Sequence, residues 1–110
     1  NLMNCYEHTL IAKQDLPENQ VKTLIKKYED LISKHSGKIL KIEEWGIRNF
    51  SNIINKNKKG YYFHIKFDGI GKTIEELERA EVIDQSVIRF LTVRVKNHDL
   101  EKEYFEKKDL

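Results

Sequence analysis

Apolar residues along this chain switch between two spacings, and the switches outline six elements. Asn4 to Ala12 (NCYEHTLIA) is rich in β-formers and predicts a strand ending in a polar turn. "DLPENQ" then opens a helix: Pro17 suits a first helical turn, and Glu18 favours the positive end of the helix dipole. Val21, Leu24, Ile25, Tyr28, Leu31 and Ile32 recur at i, i+3, i+4 and i+7, so one stripe of this helix is buried. Gly37 predicts its stop.

Lys38 to about Arg48 (KILKIEEWGIR) predicts a second strand, with Gly46 marking a bulge or bend. "NFSNIINKNKK" reads as the connection to a third strand, "KKGYYFHIKF", from Lys58 to Phe67. After "DGIGK", the run Thr73-Ile74-Glu75-Glu76 has the form of a capping box. It predicts a short helix with Ile74, Leu77 and Ala80 inward. Ser86 to Lys96 (SVIRFLTVRVK) is the fourth strand. The domain is expected over residues 1–96, with a charged tail over 97–110.

The order βαββαβ predicts an α+β, ferredoxin-like sandwich: a four-stranded antiparallel sheet with two helices on one face. Right-handed crossovers put both helices on that face and leave the other open. In the third strand Tyr61, Phe63, Ile65 and Phe67 share one side and Tyr62, His64 and Lys66 the other. In the fourth, Leu91, Val93 and Val95 alternate with Phe90, Thr92 and Arg94. That is more apolar surface than one helix-covered face needs, so part of the open face is expected to meet a partner.

Composition sharpens this picture in three places. A single cysteine, Cys5, excludes a disulfide within the chain and any cysteine-based zinc cluster. No stretch approaches the roughly 18 apolar residues of a membrane helix. The net charge of +2 is unevenly spread: residues 37–60 hold six basic residues against Glu43 and Glu44, while 61–86 are acidic by three. A basic stripe beside a neutral body suits a phosphate-contacting loop, and equally a solvated lysine-rich one.

Catalytic chemistry finds little support. His8, His35, His64 and His98 have no metal-ligand spacing, and Cys5 and His8 would point to opposite faces of one strand. Glu43 and Glu44 diverge in the same way, and "DGIGK" lacks the spacing of a phosphate-binding loop. The start of the third strand matches the RNA-stacking motif of RRM domains at Lys59, Gly60, Tyr61 and Phe63. It departs from it at Tyr62 and Lys66, and the same-side set Tyr61, Phe63, Ile65 and Phe67 reads better as core.

Several stretches together resemble the small-subunit ribosomal protein six family of bacteria and organelles. They are Tyr6-Glu7, Gly37-Lys38-Ile39, "EEWGIRNF" (Glu43 to Phe50), the spacing of Lys56, Gly60 and Tyr61-Tyr62, and "SVIRFLTVRV" (Ser86 to Val95). The similarity runs from about Asn4 to Lys96. Two positions depart from the family pattern: Asn49 stands where a second arginine is usual, and Ile53 where a proline is usual.

The resemblance implies a non-enzymatic protein of the cytoplasmic or organellar ribosome, with no cofactor, membrane or small-molecule substrate. Its implied partners are the central domain of small-subunit (16S) rRNA and small-subunit ribosomal protein eighteen. Arg48, Lys56, Lys58 and Lys59 in the hairpin, and Arg89 in the fourth strand, would then contact phosphates. Arg94, Lys96, Tyr104 and Phe105 would meet the protein partner. The competing expectation is a ferredoxin-like homodimeric module that binds a small molecule.

Overall fold

The computed structural model describes residues 3–54 and 57–98. Six elements follow one another: β1 (Asn4–Lys13), α1 (Glu18–Lys34), β2 (Lys38–Ile54), β3 (Asn57–Gly69), α2 (Gly71–Val82) and β4 (Val87–Val95). The strands form one sheet in the order β2-β3-β1-β4, every neighbouring pair antiparallel. This is the ferredoxin-like arrangement expected from the element order.

The helices sit where their apolar stripes require. Val21, Leu24, Tyr28 and Ile32 of α1 and Leu77 of α2 are buried against Leu10 and Ala12 of β1 and Phe63, Ile65 and Phe67 of β3. Ile74 and Ala80 pack at the margin of the same core. The pleat decides this assignment, because residues two apart on β1 and β3 share the helix-covered face.

The end of α1 shows how local chemistry terminates a helix. Ser36, with φ of 67°, takes the left-handed position, and the Gly37 amide donates to the Ile32 carbonyl at 2.8 Å. Gly37 is needed for space: a Cβ there would lie 2.5 Å from Ile32 Cγ2 and 2.7 Å from the Ile32 carbonyl oxygen. The expected stop is therefore real, but serine holds the unusual dihedral.

Two boundaries differ from expectation. α2 begins at Gly71, so Thr73 lies inside its first turn. There its hydroxyl accepts from the Ile70 amide at 3.1 Å and donates to the His35 carbonyl at 2.6 Å, tying the start of α2 to the end of α1. The larger difference is the hairpin, where the stretch expected as a connection from Asn49 to Lys59 is mostly strand. After a bulge at Gly46 (φ 80°), pairing resumes at Ile47–Tyr61, Arg48–Gly60 and Asn49–Lys59. Ile47, Arg48, Asn49, Lys58 and Lys59 are all exposed. A ribbon with little buried surface has no reason to alternate, so its sequence reads as loop.

Candidate nucleic-acid interface

The sheet face away from the helices carries Cys5, Glu7, Thr9 and Ile11 of β1, Tyr62, His64, Lys66 and Asp68 of β3, and Arg89, Leu91, Val93 and Val95 of β4. This follows from the register, which places Ile11 opposite Tyr62 and Arg89, and Glu7 opposite Lys66 and Val93. β2 adds Glu43, Trp45 and Arg48.

The middle of this face is closed by its own side chains. Trp45 stacks on His64 with ring centroids 4.8 Å apart, and its indole N–H donates to Glu43 Oε1 at 2.8 Å. Lys66 Nζ sits 3.3 Å from Glu43 Oε2, and both side chains are almost fully buried. His64 Nδ1 pairs with the Thr9 hydroxyl and Nε2 with Glu7 Oε1, each at 3.0 Å. Burial opposes the Glu43 carboxylate, but the indole N–H and the Lys66 ammonium overcome it and hold its pKa below the usual range. Burial pulls the His64 imidazole down, with Glu7 opposing only in part. Trp45 is buried and Tyr62 half-buried, so the aromatic rings here are largely spent on one another. Phe63, under the helices, is 1% exposed and out of reach of a base.

The residues expected to touch phosphate gather at one end of the sheet. Arg48 stands opposite Gly60, one pleat step from the Tyr62–Ile11–Arg89 row on the same face. Both arginines are exposed, as are Lys58 and Lys59 at the start of β3. Arg89 is close enough to Tyr62 to oppose the rise that burial causes in its phenol pKa. Lys56 lies outside the described residues.

Arg94 and Lys96 are exposed at the opposite end, near Cys5, so the two candidate sets do not converge. Tyr104 and Phe105 lie outside the described residues. Leu91 and Val93 are 61% and 46% exposed, the apolar surplus anticipated on this face. Cys5 and His8 do face opposite ways: His8 is buried under α2, 2.6 Å from Glu81 Oε2 and from the Thr92 hydroxyl.

Sequence reasoning missed the polar network of Glu7, Thr9, Glu43, His64 and Lys66. The signal was present in the third strand, where His64 and Lys66 alternate with core residues. Their partners come from β1 and β2, however, and only the register reveals them.

The sequence model of the family described as Ribosomal protein S6 matches residues 5–94. The chain is 50% identical over 107 residues to the small ribosomal subunit protein bS6 of Pelagibacter ubique, spanning 97% of this chain and 88% of that protein. It is 42% identical over 97 residues to bS6 of Zymomonas mobilis, spanning 88% and 78%. Its fold superposes on the crystal structure of 30S ribosomal protein S6 from Thermotoga maritima with a TM-score of 0.80, at 29% identity, over 98% of this chain and 95% of that one. The chain belongs to the ribosomal protein S6 family, a structural family of the small ribosomal subunit and not a family of enzymes.

Proposed function

We propose that this protein, on the cytoplasmic ribosome, binds the central domain of small-subunit rRNA jointly with small-subunit ribosomal protein eighteen. In this reading Arg48, Arg89, Lys58 and Lys59, with Lys56, form the phosphate-contacting end. The observation that carries it is the gathering of Arg48 and Arg89 on one face beside the lysines of the hairpin.

Arginine binds phosphate through two parallel N–H donors, so each arginine counts for more than each lysine. Such contacts position the protein without reading sequence. Specificity then comes from the shape of the RNA and from the surface shared with the partner protein. Leu91 and Val93 on the open face of β4, Arg94 and Lys96 near its end, and the tail over 97–110 with Tyr104 and Phe105, form the side toward that partner.

The test is binding of an rRNA central-domain fragment, with the partner protein present, across a range of salt. Arg48→Ala and Arg89→Ala should each weaken binding and flatten the slope of log affinity against log salt by about one unit. Unchanged affinity and slope in both variants would overturn the assignment. A tight homodimer indifferent to RNA in gel filtration would favour the small-molecule module instead.

A further inference from the structure

At the sheet end away from the basic hairpin, three different metal-ligating groups meet. Cys5 of β1 stands directly opposite Asp68 of β3, and the chain after β4 returns His98 to the same place. The Cys5 sulfur, an Asp68 carboxylate oxygen and a ring nitrogen of His98 all lie within 4.8 Å of one another.

The imidazole is the informative member. Its side chain is only 5% exposed. Nε2 lies 3.1 Å from the Phe67 carbonyl oxygen and 3.1 Å from Asp68 Oδ1. Both of those atoms accept, so Nε2 donates to them. Nδ1 is buried and has no hydrogen-bond partner among the described residues. Nε2 is the ring nitrogen that faces Asp68, so a metal ion held there would take the place of its proton, and the ring proton would move to Nδ1.

We propose that Cys5, Asp68 and His98 form a binding site for a divalent transition-metal ion of the zinc class. Thiolate, imidazole and carboxylate together suit Zn²⁺, whose bonds of about 2.0–2.3 Å put tetrahedral ligands roughly 3.5 Å apart. The three groups need to close by about 1 Å to reach that spacing, and His98 sits beyond the last strand, where the chain can follow. One thiolate, one carboxylate and a neutral imidazole balance the double positive charge. A groove lined by Met3, Asn4, Cys5, Arg94, Val95 and Lys96 lies beside Cys5. The site is independent of the RNA-binding reading, which uses the other end of the sheet.

The experiment is titration of the full, tag-free chain with Co²⁺ under a non-thiol reductant, read by the thiolate-to-cobalt charge-transfer band, followed by displacement with Zn²⁺. One equivalent of Co²⁺ should bind with that band, and Zn²⁺ should abolish it. Cys5→Ser should remove the band, and His98→Ala and Asp68→Asn should each weaken binding at least tenfold, with circular dichroism unchanged. No saturable binding, binding without the charge-transfer band, or His98→Ala binding as tightly as the parent would overturn the site. In those cases His98 and Asp68 serve only as a hydrogen-bonded pair that fastens the segment after β4 to β3.

Discussion

Lys66 is a charge in a place where charge is expensive, and its surroundings explain why it is tolerated. Its ammonium and the Glu43 carboxylate are 3.3 Å apart and nearly inaccessible to water, while the Trp45 indole holds the other carboxylate oxygen. Removing one member of such a pair costs far more than removing both, because the survivor stays buried. Lys66→Met should therefore lower stability by about 3–5 kcal/mol. Adding Glu43→Gln should restore much of the loss, both measured by urea denaturation. Equal stability of Lys66→Met and the parent would show that the pair is not closed in solution. At this scale the sequence was half legible. The stripe Tyr61, Phe63, Ile65 and Phe67 announced its own burial by period. Lys66, Glu43 and the His8–Glu81 pair did not, since each depends on a partner from another strand or helix, 73 residues away in the last case.

Between elements, Asp84 fastens the turn after α2 to α1. Its Oδ2 accepts from the Tyr28 hydroxyl at 2.6 Å and the Lys27 ammonium at 3.0 Å, and its Oδ1 accepts from the Ser86 amide at 2.9 Å. Burial opposes the carboxylate, but the Tyr28, Ser86 and Lys27 donors outweigh it and lower its pKa below the ordinary 3.8. A group with a depressed folded pKa contributes stability that is present above its unfolded pKa and lost as pH falls through the folded one. Asp84→Ala should thus cost about 2 kcal/mol at neutral pH. The gap between variant and parent should narrow as pH drops below 3.8. Thermal melts of both proteins across that range would show it, and a constant gap would assign the loss to packing alone. Element lengths were the less legible part. α1 was clear because its stripe has a period, whereas Ile47, Arg48, Asn49, Lys58 and Lys59 in the hairpin are exposed and have none.

The architecture of the whole molecule was legible because element order and crossover handedness leave few alternatives once β, α, β, β, α, β is read. What the order could not reveal was the division of the open face. Its middle is sealed by Trp45, His64 and the Glu43–Lys66 pair, its hairpin end is basic, and its β4 side exposes Leu91 and Val93. That apolar strip lies on an edge strand beside Arg94, and it is the part of the face suited to a protein. Leu91→Ser with Val93→Ser should change stability by no more than about 0.5 kcal/mol, as for exposed positions in general. If β4 meets the proposed partner, the same double variant should weaken binding of ribosomal protein eighteen severalfold in calorimetry. Unchanged affinity would move the protein partner off β4.

The sealed middle of the open face also bears on the time between synthesis and assembly. A ferredoxin-like sheet with a wholly greasy second face would seek any neighbour as soon as it folded. Here the indole, the imidazole and one buried ion pair give most of that face a complete set of partners without leaving the chain. Among the described residues of that face, the exposed apolar part is the strip of Leu91 and Val93 on β4. Such a face leaves the free subunit little apolar surface with which to find unintended neighbours before assembly.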